Sequence, residues 1–185
     1  MKTSTGLKQY FVKEASPRLQ KELNLDNSLA VPKVSKVVVN IGVGNLAREE
    51  KRINQVIDDI SKITGQRPVK TLARKAIAGF KIREGNVVGI KTTLRGQRMY
   101  SFLEKLVKVA LPRVRDFRGL SADGFDEFGN YNLGLREHIV FPEASTESVE
   151  NTFPMEITVV TTAKNKDKAY KLLKLLGFPF KEEVK

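Results

Sequence analysis

The densest group of chemically active side chains in this sequence is a basic stretch at residues 66–98. Nine lysines and arginines stand there against a single acid, Glu84, a net charge of +8 in 33 residues. Glycine lets the backbone turn sharply or approach a ligand closely, and four glycines punctuate the stretch: Gly79, Gly85, Gly89 and Gly96. We expect two strands joined by an exposed cationic loop that faces a polyanion such as nucleic acid. Charge alone leaves open a solvated basic face without a partner.

The run at residues 42–47, Gly-Val-Gly-Asn-Leu-Ala, fits the G-x-G-x-x-A form of the dinucleotide fingerprint. It follows a strand-like run and opens a helix-like one, as that fingerprint requires. The fingerprint also needs an acid at the end of the second strand to bind the ribose hydroxyl. The sequence has no acid between Asp59 and Glu84. We therefore expect a tight strand-to-helix turn here rather than a nicotinamide enzyme.

The other titratable residues do not form a pattern typical of an active site. His138 is the only histidine and there is no cysteine, which excludes a structural zinc site of the Cys/His type. Residues 123–156 form an acidic segment in which eight acids oppose Arg136 alone, a net charge of −7. Their spacing fits no metal-binding loop, and they would repel phosphates. We predict a structural role for His138, and no catalytic residue, metal site or cofactor.

The overall composition indicates a globular protein that binds a polyanion. The 185 residues are enough for one sizeable core, and we expect a single domain over residues 1–185. The isoelectric point near 9.9 favours nucleic acid as the partner, with an anionic membrane surface as the second choice. No apolar run is long enough to cross a membrane, and the first 20 residues lack a signal-peptide core.

The hydrophobic spacing predicts helices and strands without regular alternation. Residues 7–24 have helical spacing that Pro17 interrupts, so either one helix is kinked there or a second helix begins with Ser16 as its cap. Helices are also predicted at residues 46–64, 98–111 and 166–176, and strands at 34–41, 69–76, 87–94 and 156–162. The predicted fold is α+β, a mainly antiparallel sheet with helices packed on one face, plus the long basic loop.

Several longer blocks of the sequence carry a specific resemblance. These are VVVNIGVG (37–44), ITGQRP (63–68), ARKAIAGFKIREG (73–85), TLRG (93–96), LPRVRDFRGL (111–120), FGNYNLGLRE (128–137), FPE (141–143), TTA (161–163) and GFPF (177–180). In this order and spacing, from about Tyr10 to Phe180, the chain resembles the bacterial family of large-subunit ribosomal protein five. That family binds 5S ribosomal RNA.

The resemblance implies a structural, non-enzymatic protein of the cytoplasmic ribosome, present as a monomer within the particle. Family members sit in the central protuberance, attach 5S ribosomal RNA to the large subunit and also touch large-subunit ribosomal RNA and neighbouring proteins. A basic loop reaches peptidyl-site transfer RNA, and a further contact bridges to a basic protein of the small-subunit head. Residues 33–120 would then be the RNA-facing part, and residues 156–180 a C-terminal strand and helix.

Carried over residue by residue, the resemblance implies three groups of contact residues. The ribosomal-RNA group is Asn40, Gln66 and Thr93 for hydroxyls and base edges, with Arg67, Lys70, Lys91 and Arg95 for phosphates. The transfer-RNA group is Arg74, Lys75, Lys81 and Arg83, with Gly79 as a flexible point. We infer that the acidic segment faces the small-subunit partner, through Glu143, Glu147 and Glu150. Residues 126–130 read DEFGN where many relatives have a basic turn, which weakens the case for RNA contact there.

A free nucleic-acid chaperone that coats RNA without a fixed site is the competing interpretation. Such proteins present exposed aromatic residues for stacking, or disordered tails rich in glycine and arginine. This sequence has no tryptophan and only 14 phenylalanines and tyrosines, many of them on apolar helix faces. The sequence therefore favours a protein with fixed RNA-binding sites.

Overall fold

The computed structural model describes residues 6–44, 49–144 and 152–181. Five strands form one antiparallel sheet in the order β2-β3-β1-β5-β4. The strands are β1 Val34–Gly42, β2 Val69–Leu72, β3 Val87–Leu94, β4 Tyr131–Leu135 and β5 Met155–Thr161. The α-helices are α1 Leu7–Tyr10, α2 Ser16–Glu22, α3 Glu50–Thr64, α4 Gly96–Lys105 and α5 Lys166–Leu175. Helices packing on a sheet confirm the predicted α+β class. Within the described ranges no helix is long and apolar enough to cross a membrane.

The described residues divide into two compact units, each built from segments distant in sequence. The first unit contains residues 6–37, 95–133 and 158–181. The second contains residues 38–44, 49–94, 134–144 and 152–157. The assignment of residues 1–185 to a single domain stays a prediction.

In the first unit, residues 7–22 form one uninterrupted helical run, in which α1 passes through the π-helical turn Phe11–Ala15 into α2. Ser16 has helical dihedrals, φ −63° and ψ −47°, and its backbone N–H donates to the Phe11 carbonyl. Of the two alternatives, the one in which Ser16 caps a second helix is therefore wrong. Pro17 has no N–H to donate, and it follows the wider π turn, a recognised site of helix distortion. The run buries one side chain per turn: Leu7, Phe11, Ala15 and Leu19.

An aromatic cluster lies at the C-terminal end of the same unit, and we define it as Phe125, Tyr131, Tyr170, Phe178 and Phe180. Ring centroids are 4.6 Å apart for Phe125–Tyr131, 4.8 Å for Tyr170–Phe180 and 5.4 Å for Tyr131–Phe180. Burial raises the pKa of Tyr131 to about 12, so its hydroxyl stays protonated and donates to the Ser121 carbonyl at 3.0 Å. The cluster fixes the chain's last described residues against the unit.

The end of α5 steers residues 177–180 into this cluster. Gly177 has φ +89°, and the Phe178 N–H donates to the Leu173 carbonyl at 3.1 Å. These are the features of a Schellman C-cap, in which glycine takes the left-handed conformation at little cost. The predicted helix stop at Gly177 is confirmed.

Strand β4 was not predicted from the sequence. It follows a turn in which the Asp126 carboxylate accepts from the Asn130 backbone N–H at 2.7 Å and from its side-chain amide at 2.8 Å. Gly129 has φ +80° within this turn, where an added Cβ would lie 2.6 Å from the Asn165 carbonyl oxygen. Asp126 therefore acts on the backbone of the turn, whose other acid, Glu127, is exposed.

In the second unit, α3 contacts β3 with an apolar side. The apolar side chains buried on this helix are the isoleucines and valine that carried the predicted periodicity: Ile53, Val56, Ile57, Ile60 and Ile63. Gly65 ends the helix with φ +67°, as predicted. The helix was expected from Leu46 and begins at Glu50, while residues 45–48 lie outside the described ranges.

The glycines of the dinucleotide-like run mark the end of β1 without special backbone geometry. Neither Gly42 nor Gly44 has a positive φ. An added Cβ meets nothing within 4 Å at Gly42, and only ordinary contacts to Ile82 and Val88 at Gly44. The expectation that a tight turn accounts for these glycines receives no support from their dihedrals.

Strand β2 is shorter than predicted, because it ends at Leu72 instead of Ala76. The antiparallel pairing with β3 becomes irregular between Thr71 and Leu72. One further bond, from the Ala73 N–H to the Asn86 carbonyl at 2.8 Å, closes the base of the basic loop. Strand β3 has the bounds that the sequence predicted.

Candidate nucleic-acid interface

One side of the strands β1, β2 and β3 carries polar side chains around a central glycine, and we call these residues the polar sheet face: Asn40, Thr71, Gly89, Lys91 and Thr93. The exposed Val69 lies on the same side, opposite Lys91. The register pairs Thr71 with Gly89 and Val69 with Lys91, and directly paired residues point to the same side of a sheet. Thr93 follows Lys91 by two positions and so shares this side. Asn40, Thr71 and Thr93 are half-buried and Lys91 is exposed.

Gly89 lies at the centre of this face, buried beneath neighbouring polar groups. A Cβ built at this position would lie 2.6 Å from the Thr71 hydroxyl oxygen, 3.3 Å from the Ile41 carbonyl oxygen and 3.8 Å from the Asn40 amide oxygen. A side chain here would displace Thr71 or the sheet itself. The glycine thus allows polar groups from β1 and β2 to approach each other over the backbone of β3. The sequence shows that position 89 is a glycine, but it does not show that Thr71 and Ile41 leave no room for a side chain there.

Gln66 is anchored beside the end of β3. Its side-chain amide donates to the Thr93 carbonyl at 3.2 Å. The buried hydroxyl of Thr64 lies 3.0 Å from the Gln66 carbonyl oxygen and 2.7 Å from that of Ile60, so it ties the turn to the end of α3. Gln66 is half-buried, with Arg67 exposed next to it. The structure therefore brings Gln66 to the strand that carries Thr93.

One of the predicted phosphate contacts, Lys70, lies on the other side of the sheet from the polar sheet face. Lys70 pairs with Ile90, which is fully buried, so Lys70 points to the opposite side of the sheet at the exposed edge strand β2. Arg95 is exposed and belongs to the first unit, where it immediately precedes α4. Of the lysines on β2 and β3, Lys91 is the one that shares a side with Thr71 and Thr93.

The basic loop, residues 73–86, is a hairpin extension with a hydrogen-bonded tip. Ile77 and Ile82 exchange backbone bonds of 2.9 and 3.2 Å, and the 3-10 turn Ala78–Phe80 lies between them. The left-handed residue of the tip is Lys81, with φ +54°, whereas Gly79, the expected flexible point, is the middle residue of the turn. All four predicted cations of the loop are exposed: Arg74, Lys75, Lys81 and Arg83.

Phe80 at the tip of the basic loop was missed by the sequence analysis. Its side chain is 74% exposed between Gly79 and Lys81. The sequence does contain a signal for this residue: Phe80 stands between a glycine and a lysine and belongs to no periodic apolar pattern. Most aromatic side chains in the described ranges are buried or in the aromatic cluster, unlike those of a chaperone that coats RNA.

The predicted bridge residues are described only in part. Glu143 is half-buried in a turn closed by the bond from the Ala144 N–H to the Phe141 carbonyl at 3.1 Å. Glu147 and Glu150 lie outside the described residues. Their contacts stay a prediction.

His138 lies inside the second unit, in accordance with the structural role expected of it. Its ring stacks on Phe153 at a centroid distance of 3.8 Å, and its Nδ1 accepts from the Phe153 N–H at 3.4 Å. Nε2 is 3.9 Å from an Asp59 carboxylate oxygen. Burial lowers the pKa of His138, and the nearby Asp59 charge opposes that effect. Among the described residues, no cluster of three or more His, Cys, Asp or Glu side chains could hold a metal ion.

Comparison with known proteins accounts for nearly the whole chain. Residues 27–83 match the family described as Ribosomal protein L5, and residues 87–180 match the model of that family's C-terminus. The chain belongs to the ribosomal protein L5 family. Large ribosomal subunit protein uL5 of Halothermothrix orenii is 52% identical over 176 residues, which cover 95% of this chain and 98% of that protein. The protein of the same name from Francisella philomiragia is 49% identical over 175 residues, with the same coverage.

Membership in the ribosomal protein L5 family confirms the resemblance found in the sequence. A member of this family is a structural constituent of the large ribosomal subunit, acts in translation within the cytoplasmic ribosome and is not an enzyme. The dinucleotide-like run therefore has no catalytic meaning. The exposed cations and the polar sheet face belong to a protein that lies among ribosomal RNA.

Proposed function

We propose that this protein binds 5S ribosomal RNA through the polar sheet face and so helps attach that RNA to the large subunit in the central protuberance. The observation that carries the proposal is the cluster of Asn40, Thr71 and Gly89. Short neutral donors and acceptors on a rigid sheet can bond 2′-hydroxyls and base edges, which distinguish RNA from DNA. Because Gly89 has no side chain, Thr71 and Asn40 can lie together over β3 and present one polar surface to RNA.

Charged side chains at the rim complement these neutral contacts. Lys91 shares the polar sheet face, and Arg67 lies exposed beside the anchored Gln66. Cations of this kind bind phosphates and fix orientation, whereas neutral groups read the RNA. Lys70, on the other side of the sheet, and the exposed Arg95 would bind phosphates of RNA that wraps past the sheet or of large-subunit ribosomal RNA.

The basic loop is proposed as the contact to peptidyl-site transfer RNA. Four cations on a narrow hairpin suit a phosphate backbone, because any transfer RNA offers that backbone whatever its sequence. The exposed ring of Phe80 adds a surface that can stack on an unpaired base.

The bridge to a basic protein of the small-subunit head is proposed to be formed by Glu143, Glu147 and Glu150. Their negative charge complements the positive charge of that protein.

The affinity for 5S ribosomal RNA, measured at several salt concentrations, tests whether the polar sheet face is the binding site. The double variant Asn40→Ala with Thr93→Ala removes neutral contacts from the sheet, and the matched double variant Arg74→Ala with Lys75→Ala removes two cations from the loop. We expect the sheet pair to weaken binding by about 1–3 kcal/mol at an unchanged salt slope, because two neutral contact groups are lost. The loop pair should leave affinity and slope nearly unchanged.

The opposite pattern would refute the proposal. If the loop pair caused the larger loss, and a random RNA of equal length bound as tightly as 5S ribosomal RNA, the protein would be a general polyanion binder. Circular dichroism of each variant would show whether a loss of binding reflects unfolding.

A further inference from the structure

The C-terminal part of the first unit carries a second concentration of positive charge, separate from the basic stretch. Residues 164–181 contain six lysines and one acid, Asp167. Three of these lysines, Lys166, Lys174 and Lys181, line an open cavity of about 540 Å³. That volume is in the range of pockets that hold small ligands.

The walls of this cavity, which we call the α5 pocket, combine these cations with aromatic rings. Tyr170 and Phe180 line it together with Phe178 and Pro179. Tyr170 and Phe180 are half-buried, with their rings 4.8 Å apart in a tilted arrangement. The Lys174 ammonium lies 5.8 Å from the centre of the Tyr170 ring, in reach of a cation–π interaction. A π surface and ammonium groups therefore share one cavity.

The charges of the α5 pocket are available to a ligand. In the part of the chain that the structure describes, Lys166, Lys174 and Lys181 make no ion pair. A groove that offers several cations and one carboxylate selects an anion. Aromatic faces beside those cations favour an anion that also carries a flat ring.

We propose that the α5 pocket binds one unpaired nucleotide of ribosomal RNA, with its base against Tyr170 and its phosphates near Lys166 and Lys174. Base stacking on aromatic side chains combined with cations along the backbone is the general mode of single-stranded RNA binding. The inference rests on the proposed RNA-binding function and assigns it a second site, distinct from the polar sheet face.

Binding of a fluorescein-labelled single-stranded RNA hexamer of adenosines to the full chain tests this assignment. Tyr170→Leu removes the π surface while keeping apolar volume, and we expect at least roughly a tenfold rise in Kd. Tyr170→Phe keeps the ring and should bind as the unchanged protein does, which separates stacking from folding. Lys166→Gln with Lys174→Gln should lower the salt slope by about 1.4, since each single-strand phosphate contact contributes about 0.7.

The matched control is Lys168→Gln with Lys171→Gln, which removes two charges from the same helix outside the pocket. It should change Kd less than about twofold, because neither lysine lines the cavity. Equal losses in the two lysine pairs would overturn the proposal, because they would show diffuse attraction to α5. Displacement of the hexamer by inorganic tripolyphosphate as readily as by unlabelled hexamer would also overturn it, since no base would then be recognised.

The hexamer experiment tests the α5 pocket separately from the proposed 5S ribosomal RNA site on the polar sheet face. If Asn40→Ala with Thr93→Ala weakens 5S ribosomal RNA binding as expected while Tyr170→Leu leaves hexamer binding intact, only the assignment of the α5 pocket is refuted. If hexamer binding depends on Tyr170 while the sheet pair leaves 5S ribosomal RNA binding unchanged, the α5 pocket is supported as a binding site and the polar sheet face is refuted as the 5S site.

Discussion

At the scale of single residues, Gly89 is the position on which the polar sheet face depends. An alanine Cβ there would lie 2.6 Å from the Thr71 hydroxyl oxygen and 3.3 Å from the Ile41 carbonyl oxygen. Thr71 can rotate away, but the Ile41 carbonyl belongs to the backbone of β1 and can shift only with the strand.

We predict that Gly89→Ala lowers the free energy of unfolding by about 1–3 kcal/mol, the usual cost of overpacking. Urea denaturation measures this. Gly42→Ala in the neighbouring strand is the control, because nothing lies within 4 Å of its added Cβ, and it should be nearly neutral. Adding Thr71→Ala to Gly89→Ala should recover part of the loss. Equal stability of the two glycine variants would contradict the steric account.

His138 makes a pH-dependent contribution to stability at the same scale. Burial lowers its pKa below the ordinary value of about 6.5, so the unfolded chain binds a proton more readily than the folded one. Stability is therefore complete above about pH 6.5 and falls as the pH drops below that value, by at most about 1.4 kcal/mol per pH unit for one group.

NMR titration of the only histidine signal gives the pKa of His138 without assignment of the remaining residues. We expect a value below that of a histidine-containing peptide. Asp59→Asn should lower the pKa further, because it removes the negative charge that favours the protonated ring. A pKa at or above the peptide value would contradict the burial argument.

At the scale of elements, the basic loop differs from the strands that support it. Ile77 and Ile82 bond across its tip, yet residues 74–81 are all exposed, so no buried apolar surface holds the tip in place. Local bonds of this kind open with a small free energy. We expect the loop to be mobile in the free protein and to become ordered against RNA.

Amide hydrogen exchange of the free protein measures this mobility. Residues 78–81 should exchange quickly, whereas Ile90 in the middle of β3 should be protected. Added transfer RNA should slow exchange in the loop if the proposed contact forms. High protection at residues 78–81 without RNA would show that the loop is already rigid.

At the scale of the whole molecule, charge is segregated along the chain. The basic stretch has a net charge of +8 and the acidic segment −7, in a chain of net +12. A cluster of acids in a protein that lies among RNA is unfavourable unless it faces a cation. We therefore assign the acidic segment to a basic protein partner.

Large subunits carrying Glu143→Gln, Glu147→Gln and Glu150→Gln should associate more weakly with small subunits, as measured by light scattering over a range of salt. Binding to 5S ribosomal RNA should be unchanged. The control Asp123→Asn, Glu127→Gln and Glu137→Gln removes three charges elsewhere in the acidic segment and should have a smaller effect. A larger effect of the control would move the bridge to another part of this segment.

The sequence by itself determined the helices, the charge map and the family. The spacing of apolar residues in α3 and α5 predicts which side of each helix is buried. This is possible because the residues on one side of a helix are only three or four positions apart in the sequence. The blocks from residue 37 to residue 180 were long enough to indicate the family, which the comparisons then confirmed. These features depend on residue order alone.

Only the tertiary structure decided which polar residues share a surface. The pairing register places Lys91 beside the neutral groups and Lys70 on the other side, and a one-residue shift of β2 would bring Lys70 to the side of Lys91. The contact of Gly89 with Thr71 and Asn40 and the α5 pocket likewise join segments distant in the chain. Register and packing depend on such non-local contacts, which the order of residues does not display.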